Sequence, residues 1–206
     1  MTKGPRNPAV EPPNWSFNQI PFGQSRDKVL QQFAGATVTQ VTGVQFDPSR
    51  YESIANDLTD GLYTGVLRLC CHLSAKVVTE YTAVYKGWTD VEKIGLYFSS
   101  DNAHAEGILF LVVKHLKEVR PVADAFDGSK IAISRIVGME PTTTSTRYND
   151  VMGGIASAMV AKWETSTVTV YYAIHDTWNA VGGPIITYID REGWKRYVSK
   201  VEANTR

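Results

Sequence analysis

An α+β protein, with a mainly antiparallel sheet backed by short helices, is the fold class the sequence predicts. Three observations carry it. Stretches rich in Val, Thr, Tyr and Ile recur with local alternation, two amphipathic helical stripes interrupt them, and clusters of Gly, Pro, Asn, Asp and Ser punctuate the chain between. The 206 residues suit one domain or two small packed lobes. With 21 basic against 21 acidic residues, the chain lacks the excess of cations that an electrostatic nucleic-acid binder uses, so no nucleic-acid partner is expected. No apolar run approaches the roughly 18 residues that cross a bilayer. The two cysteines, Cys70 and Cys71, are adjacent and cannot build a disulfide framework.

Residues 1–16 hold four of the nine prolines and read as an extended tail. No basic start followed by an apolar run is present there, so the chain as given reads as cytosolic, or as periplasmic if a leader has been removed. The stretch Asn18–Gly35 predicts the first helix: Ser25 is a suitable N-cap, Asp27 suits the first turn, and Val29, Leu30 and Phe33 share a face that Gly35 closes. Thr37–Phe46 predicts a strand, and Asp47-Pro48 opens a second short helix carrying Tyr51, Ile54, Ala55 and Leu58. Tyr63–Leu73, Lys76–Tyr85 and Val91–Phe98 predict three further strands, and Ile108–His115 forms a hairpin with the last of them across the turn Ser99–Gly107.

Val122–Val137 predicts a helix with Val122, Phe126, Ile133, Ile136 and Val137 along one stripe, stopped by Gly138 and weakened at Gly128. Pro141–Asp150 reads as a polar loop. Met159–Glu164 and Thr167–Ile174 predict a hairpin, Ile185–Asp190 another strand, and Arg191–Val201 a closing helix with Trp194, Tyr197 and Val198 inward. Two organisations are open: a single α+β domain over 17–206, or two related lobes, 17–119 and 120–206.

The segment PFGQSRDKVLQQFAG resembles the opening helix of small bacterial envelope modules, those of the outer-membrane-assembly lipoprotein and β-lactamase-inhibitor-like fold. The runs DGSKIAISRIVGMEP, AKWETSTVTVYY and IITYID resemble the second half of two-lobed relatives; residues 47–90 lie outside the resemblance. It implies a helix-covered antiparallel sheet, an envelope address and protein binding instead of catalysis.

The familiar catalytic and phosphate-binding signatures do not occur, and Gly153-Gly154 reads as a turn. Asp101, His104 and Glu106 share one turn, and His115 follows on a strand that could approach it. That grouping supports an alternative reading as a small hydrolase using Asp101, His104 and His115. Three or four ligands must converge to hold a metal, and so short a cluster does not supply them, so neither metal nor cofactor is expected. Cys70 and Cys71 project to opposite faces of a strand and do not act together. The most suggestive feature is aromatic density near the C-terminus. In Val168–Ile174, alternation turns Val168, Val170, Tyr172 and Ile174 inward and Tyr171 outward. Trp178, in the polar loop DTWNAVGG, with Tyr171, Trp163 and Tyr188, forms the candidate partner surface, because Trp and Tyr combine large contact area with a polar tip. The expected function is therefore a non-catalytic binding or assembly protein that presents this surface to a protein partner. Self-association through an exposed strand edge is a further alternative.

Overall fold

Segments rich in β-branched and aromatic residues pair into one sheet. The computed structural model describes residues 11–41, 78–99, 107–117, 122–151, 154–176 and 184–205. Within them lie β1 (Thr37–Val41), β2 (Val78–Val84), β3 (Val91–Ser99), β4 (Ile108–Leu116), β5 (Thr143–Val151), β6 (Gly154–Glu164), β7 (Val168–Asp176) and β8 (Ile185–Asp190). The helices are α1 (Arg26–Gln31), α2 (Val122–Val137) and α3 (Arg191–Thr205), with a 3-10 turn at Phe17–Gln19. The strand order is β1-β2-β3-β4-β8-β7-β6-β5, antiparallel throughout. The fold is thus α+β and mainly antiparallel sheet. The expected helix at Tyr51–Leu58 and strand at Tyr63–Leu73 fall outside the described residues.

Helix α1 precedes β1–β4, and α2 precedes β5–β8. The last strands of the two runs, β4 and β8, pair at the centre, from Leu111↔Ile189 to His115↔Ile185. Along β7, Val168, Val170, Tyr172 and Ile174 enter one core layer, together with Ile94, Leu96 and Phe98 of β3 and Phe126 and Ile133 of α2. Both halves of the chain therefore share that layer. Burying such side chains contributes about 1.5–3 kcal/mol each.

The opposite face of the sheet is also covered at its centre. Phe110, Leu111, Val160, Tyr171, Ala173, Ile189 and Tyr197 form a second layer beneath α3. A bulge helps to build it. Tyr97 pairs with Leu111 and Phe98 with Leu109, so Phe110 is the extra residue on β4 and joins Leu111 on this face. Its ring stacks on Tyr197 at 5.2 Å.

Local chemistry explains the helix ends. Ser25 precedes α1 in extended geometry, but its side chain makes no capping bond. Main-chain bonds tie this entry to β4 instead: Gly23 N to Leu109 O at 3.0 Å, Leu109 N to Gln24 O at 3.0 Å and Arg26 N to Gly107 O at 3.0 Å. The helix closes through i→i−3 bonds from Gln32, Phe33 and Ala34, and not through a left-handed Gly35. At α2 the expected stop is present: Gly138 has φ +82°, and its N–H and that of Met139 both reach Ser134 O. The helix continues through Gly128 without a break. Ile136, expected on the inner stripe, is instead exposed, while Phe126 stacks on Tyr172 at 5.5 Å.

Pro141–Asp150 is not a loop. From Thr143 it forms β5, in unbroken register with β6 from Thr143↔Lys162 to Val151↔Gly154. Threonine and tyrosine fit a pleated edge without the aliphatic alternation that marks a half-buried strand. Of the Pro-rich N-terminal stretch, residues 11–16 are described; they carry no regular secondary structure, lie on the protein and bury Pro12 and Trp15. A tryptophan beside an uncovered apolar face gains more by docking than by remaining hydrated.

Helix α3 approaches β4 unusually closely. Asp190 Oδ2 accepts from Gly193 N at 3.0 Å, and a Cβ at Gly193 would stand 2.6 Å from Phe110 Cβ. Gly193→Ala is therefore expected to cost about 1–3 kcal/mol by overpacking. Gly128→Ala meets open space within an α-helix and is expected to stabilise by about 0.5–1 kcal/mol. Chemical denaturation of the two variants checks both signs.

Candidate functional site

Three of the four aromatic residues expected on a partner surface are interior. Trp163 is fully buried and donates its indole N–H to Ser134 Oγ at 3.2 Å. Tyr171, expected to face outward, is only 6% exposed because α3 covers that side of β7. Tyr188 is likewise 6% exposed, on the α2 side. Burial pushes the phenols of Tyr171 and Tyr188 up to about 12, helped at Tyr171 by Glu164. The correction has a plain cause: a sheet covered on both faces buries both parities of a central strand. Trp178 lies outside the described residues, as do Asp101, His104, Glu106, Cys70 and Cys71. Among the described residues no group of three His, Cys, Asp or Glu side chains is placed to hold a metal.

The most unusual ionisable group is Lys114, which the sequence reading passed over. Within ILFLVVKHL it shares parity with Val112 and Leu116, both of the inner layer. That parity was the available signal. Its ammonium is buried and donates to Asn14 Oδ1 at 2.6 Å and to the Trp15 carbonyl. Asn14 Nδ2 donates in turn to Asp90 Oδ1 at 3.2 Å, and Trp88 Nε1 donates to Pro12 O at 3.2 Å. The Trp15 ring stands edge-on to Phe33 at 5.0 Å. One buried cation thus clasps the N-terminal strap, residues 11–16, across β3 and β4. Burial lowers its pKa to about 8, against the pull of Asp90.

The next residue faces the other way. His115 pairs in register with Lys93 on the α3 side of the sheet, where Tyr97 donates its hydroxyl to Glu80 at 3.0 Å. These four residues are half-buried. Burial first, and the Lys93 cation second, bring the His115 imidazole down to about 4. Burial raises the Glu80 carboxyl, opposed by the Tyr97 hydrogen bond and Lys93. A neutral imidazole next to a lysine can accept a hydrogen bond; Asp101 and His104, grouped with His115 in the hydrolase reading, lie outside the described residues.

Among the described strands, β1 and β5 stand at the two ends of the sheet order. Among the described strands, β5 pairs only with β6. Its sequence, TTSTRYNDV, contains no Pro, Gly or Lys, and its register with β6 shows no bulge. Of the devices that blunt an edge strand, it lacks Pro, a bulge and short length, but it carries the charges of Arg147 and Asp150. No protein-family model matches the chain, and no curated protein or solved structure is significantly similar to it.

Adjacent residues on β4 thus predict opposite ends of a stability profile. Lys114 titrates lower in the folded chain than in the unfolded one. Stability should therefore rise between pH 8 and 10.5, by up to roughly 3 kcal/mol, as the unfolded chain keeps a proton that the folded one sheds. Tyr171 and Tyr188 act in the opposite sense above pH 10, so the difference between wild type and Lys114→Met isolates the lysine. For His115 the folded pKa is also the lower one, so stability should fall as pH drops from 6.5 to 4, by up to roughly 3 kcal/mol. Glu80 opposes this in acid, and His115→Gln should remove the histidine's share of the slope. Urea titrations at stepped pH check each difference.

Proposed function

We propose that this chain is a non-catalytic binding or assembly protein that docks another polypeptide along the open edge of β5. The observation that carries the reading is the nine-residue length of that strand, bulge-free and paired on one side only among the described strands. An extended segment added there would satisfy the outward N–H and C=O groups, a recurring mode of peptide recognition. The resemblance to envelope modules points in the same direction, toward protein binding. The docking element differs from the aromatic face that composition alone suggests, because three of its four rings, Trp163, Tyr171 and Tyr188, are interior.

A photo-reactive residue at Thr146 tests the reading in the cells that make the protein. A covalent adduct with a polypeptide is expected at Thr146 and not at Ile131, an exposed position on α2. Absence of any polypeptide adduct at β5 would contradict it.

A further inference from the structure

We propose that Lys114 and Asn14 join spontaneously in an isopeptide bond, with Asp90 as the proton carrier, so that the N-terminal strap becomes covalently fixed to β4. The three side chains meet in the order such a reaction requires. Lys114 Nζ stands 2.6 Å from Asn14 Oδ1, and the amide carbon Cγ is one carbonyl bond from that oxygen. Asn14 Nδ2, the group that must leave, donates to Asp90 Oδ1 at 3.2 Å. The Trp15 carbonyl accepts from the same Nζ and fixes its direction. Groups held this closely react without an encounter step. Other lysines lack such a target: Lys130, Lys162 and Lys195 face carboxylates, which resist attack by an amine, and Lys117 faces a main-chain carbonyl.

The chemistry balances without a co-reactant. The neutral lysine amine attacks Asn14 Cγ, the Nζ–Cγ bond forms and the Cγ–Nδ2 bond breaks. One proton passes from Nζ to Nδ2, which departs as ammonia. Asp90 touches the departing nitrogen and its charge acts on Lys114, so one carboxylate spans both ends of the proton's path. Burial prepares the nucleophile: Lys114 is 6% exposed, and a pKa of about 8 leaves much of the amine uncharged in mildly alkaline solution. Burial also favours the product. Closure replaces a buried ammonium with a neutral amide, whose single N–H still meets the Trp15 carbonyl. Asn14 is exposed, which gives the ammonia a way out. The amine titrates only before closure, so the alkaline rise in stability expected of the open chain is absent from the closed one.

Mass spectrometry of the folded full-length chain, incubated at about pH 9 to free the amine, tests the bond. The intact mass should lie about 17 Da below that of the sequence, the mass of ammonia. Digestion should yield a branched peptide joining the fragments that carry Asn14 and Lys114. Lys114→Arg and Asn14→Ala should keep the full sequence mass, with circular dichroism unchanged. Followed from synthesis in a cell-free extract, Asp90→Ala should close roughly 100-fold more slowly than wild type. Closure of that variant at the wild-type rate would overturn Asp90 as the proton carrier. A folded wild type that keeps the full sequence mass would overturn the bond. So would loss of ammonia without a branched peptide, the mark of a succinimide.

Discussion

The pairing of β4 with β8 is the constraint on which the remainder of the structure depends. Each is the last strand of an antiparallel run, and their five-residue ladder is the seam that makes two four-stranded runs one sheet. Because β4 and β8 lie at the centre, their side chains are covered from both directions. Leu109 and Val112 serve the layer beneath α1 and α2, while Phe110, Leu111 and Ile189 serve the layer beneath α3. The bulge at Phe110 belongs to the same design. It delivers two consecutive large residues to α3, which Gly193 allows to lie close against the strand.

That central position also explains the chemistry of β4. Lys114 and His115 are neighbours in sequence but face opposite layers, and burial dominates the titration of both. Lys114 receives its compensation from a segment outside the sheet. Asn14 and the Trp15 carbonyl accept from its ammonium, so the strap is bound by charge-assisted bonds as well as by the tryptophan ring. A buried cation of this kind is weak evidence for stability, since an apolar residue of similar size often serves the fold as well. Its physical consequence is specificity: it defines where residues 11–16 lie.

Much of the fold was legible in the sequence, because alternation and punctuation are local signals. The bounds of α2, the strand at Ile185–Asp190 and the inward set Val168, Val170, Tyr172 and Ile174 follow from periodicity alone. What escaped reading was decided by neighbours. Tyr171 has the parity of an outward residue and is buried because α3 folds back over it. β5 lacks aliphatic residues and reads as a loop, yet pairing with β6 needs only residues that fit a pleat. Aromatic content near the C-terminus carried no information on exposure, since the same rings serve interfaces and cores. Trp163 and Tyr188 went to the core. Lys114 was readable from parity, but a charge within an apolar run is easily assigned to the strand end.

If the central seam governs the fold, the two halves of the sheet unfold together. Native-state amide hydrogen exchange measures this directly, residue by residue. Amides of Leu111–His115 and Ile185–Ile189 should exchange only through global unfolding, with free energies matching the most protected amides of β3 and β7. Exchange of the seam at markedly lower free energy, with β2–β3 and β6–β7 still protected, would show two independently stable halves and contradict the claim.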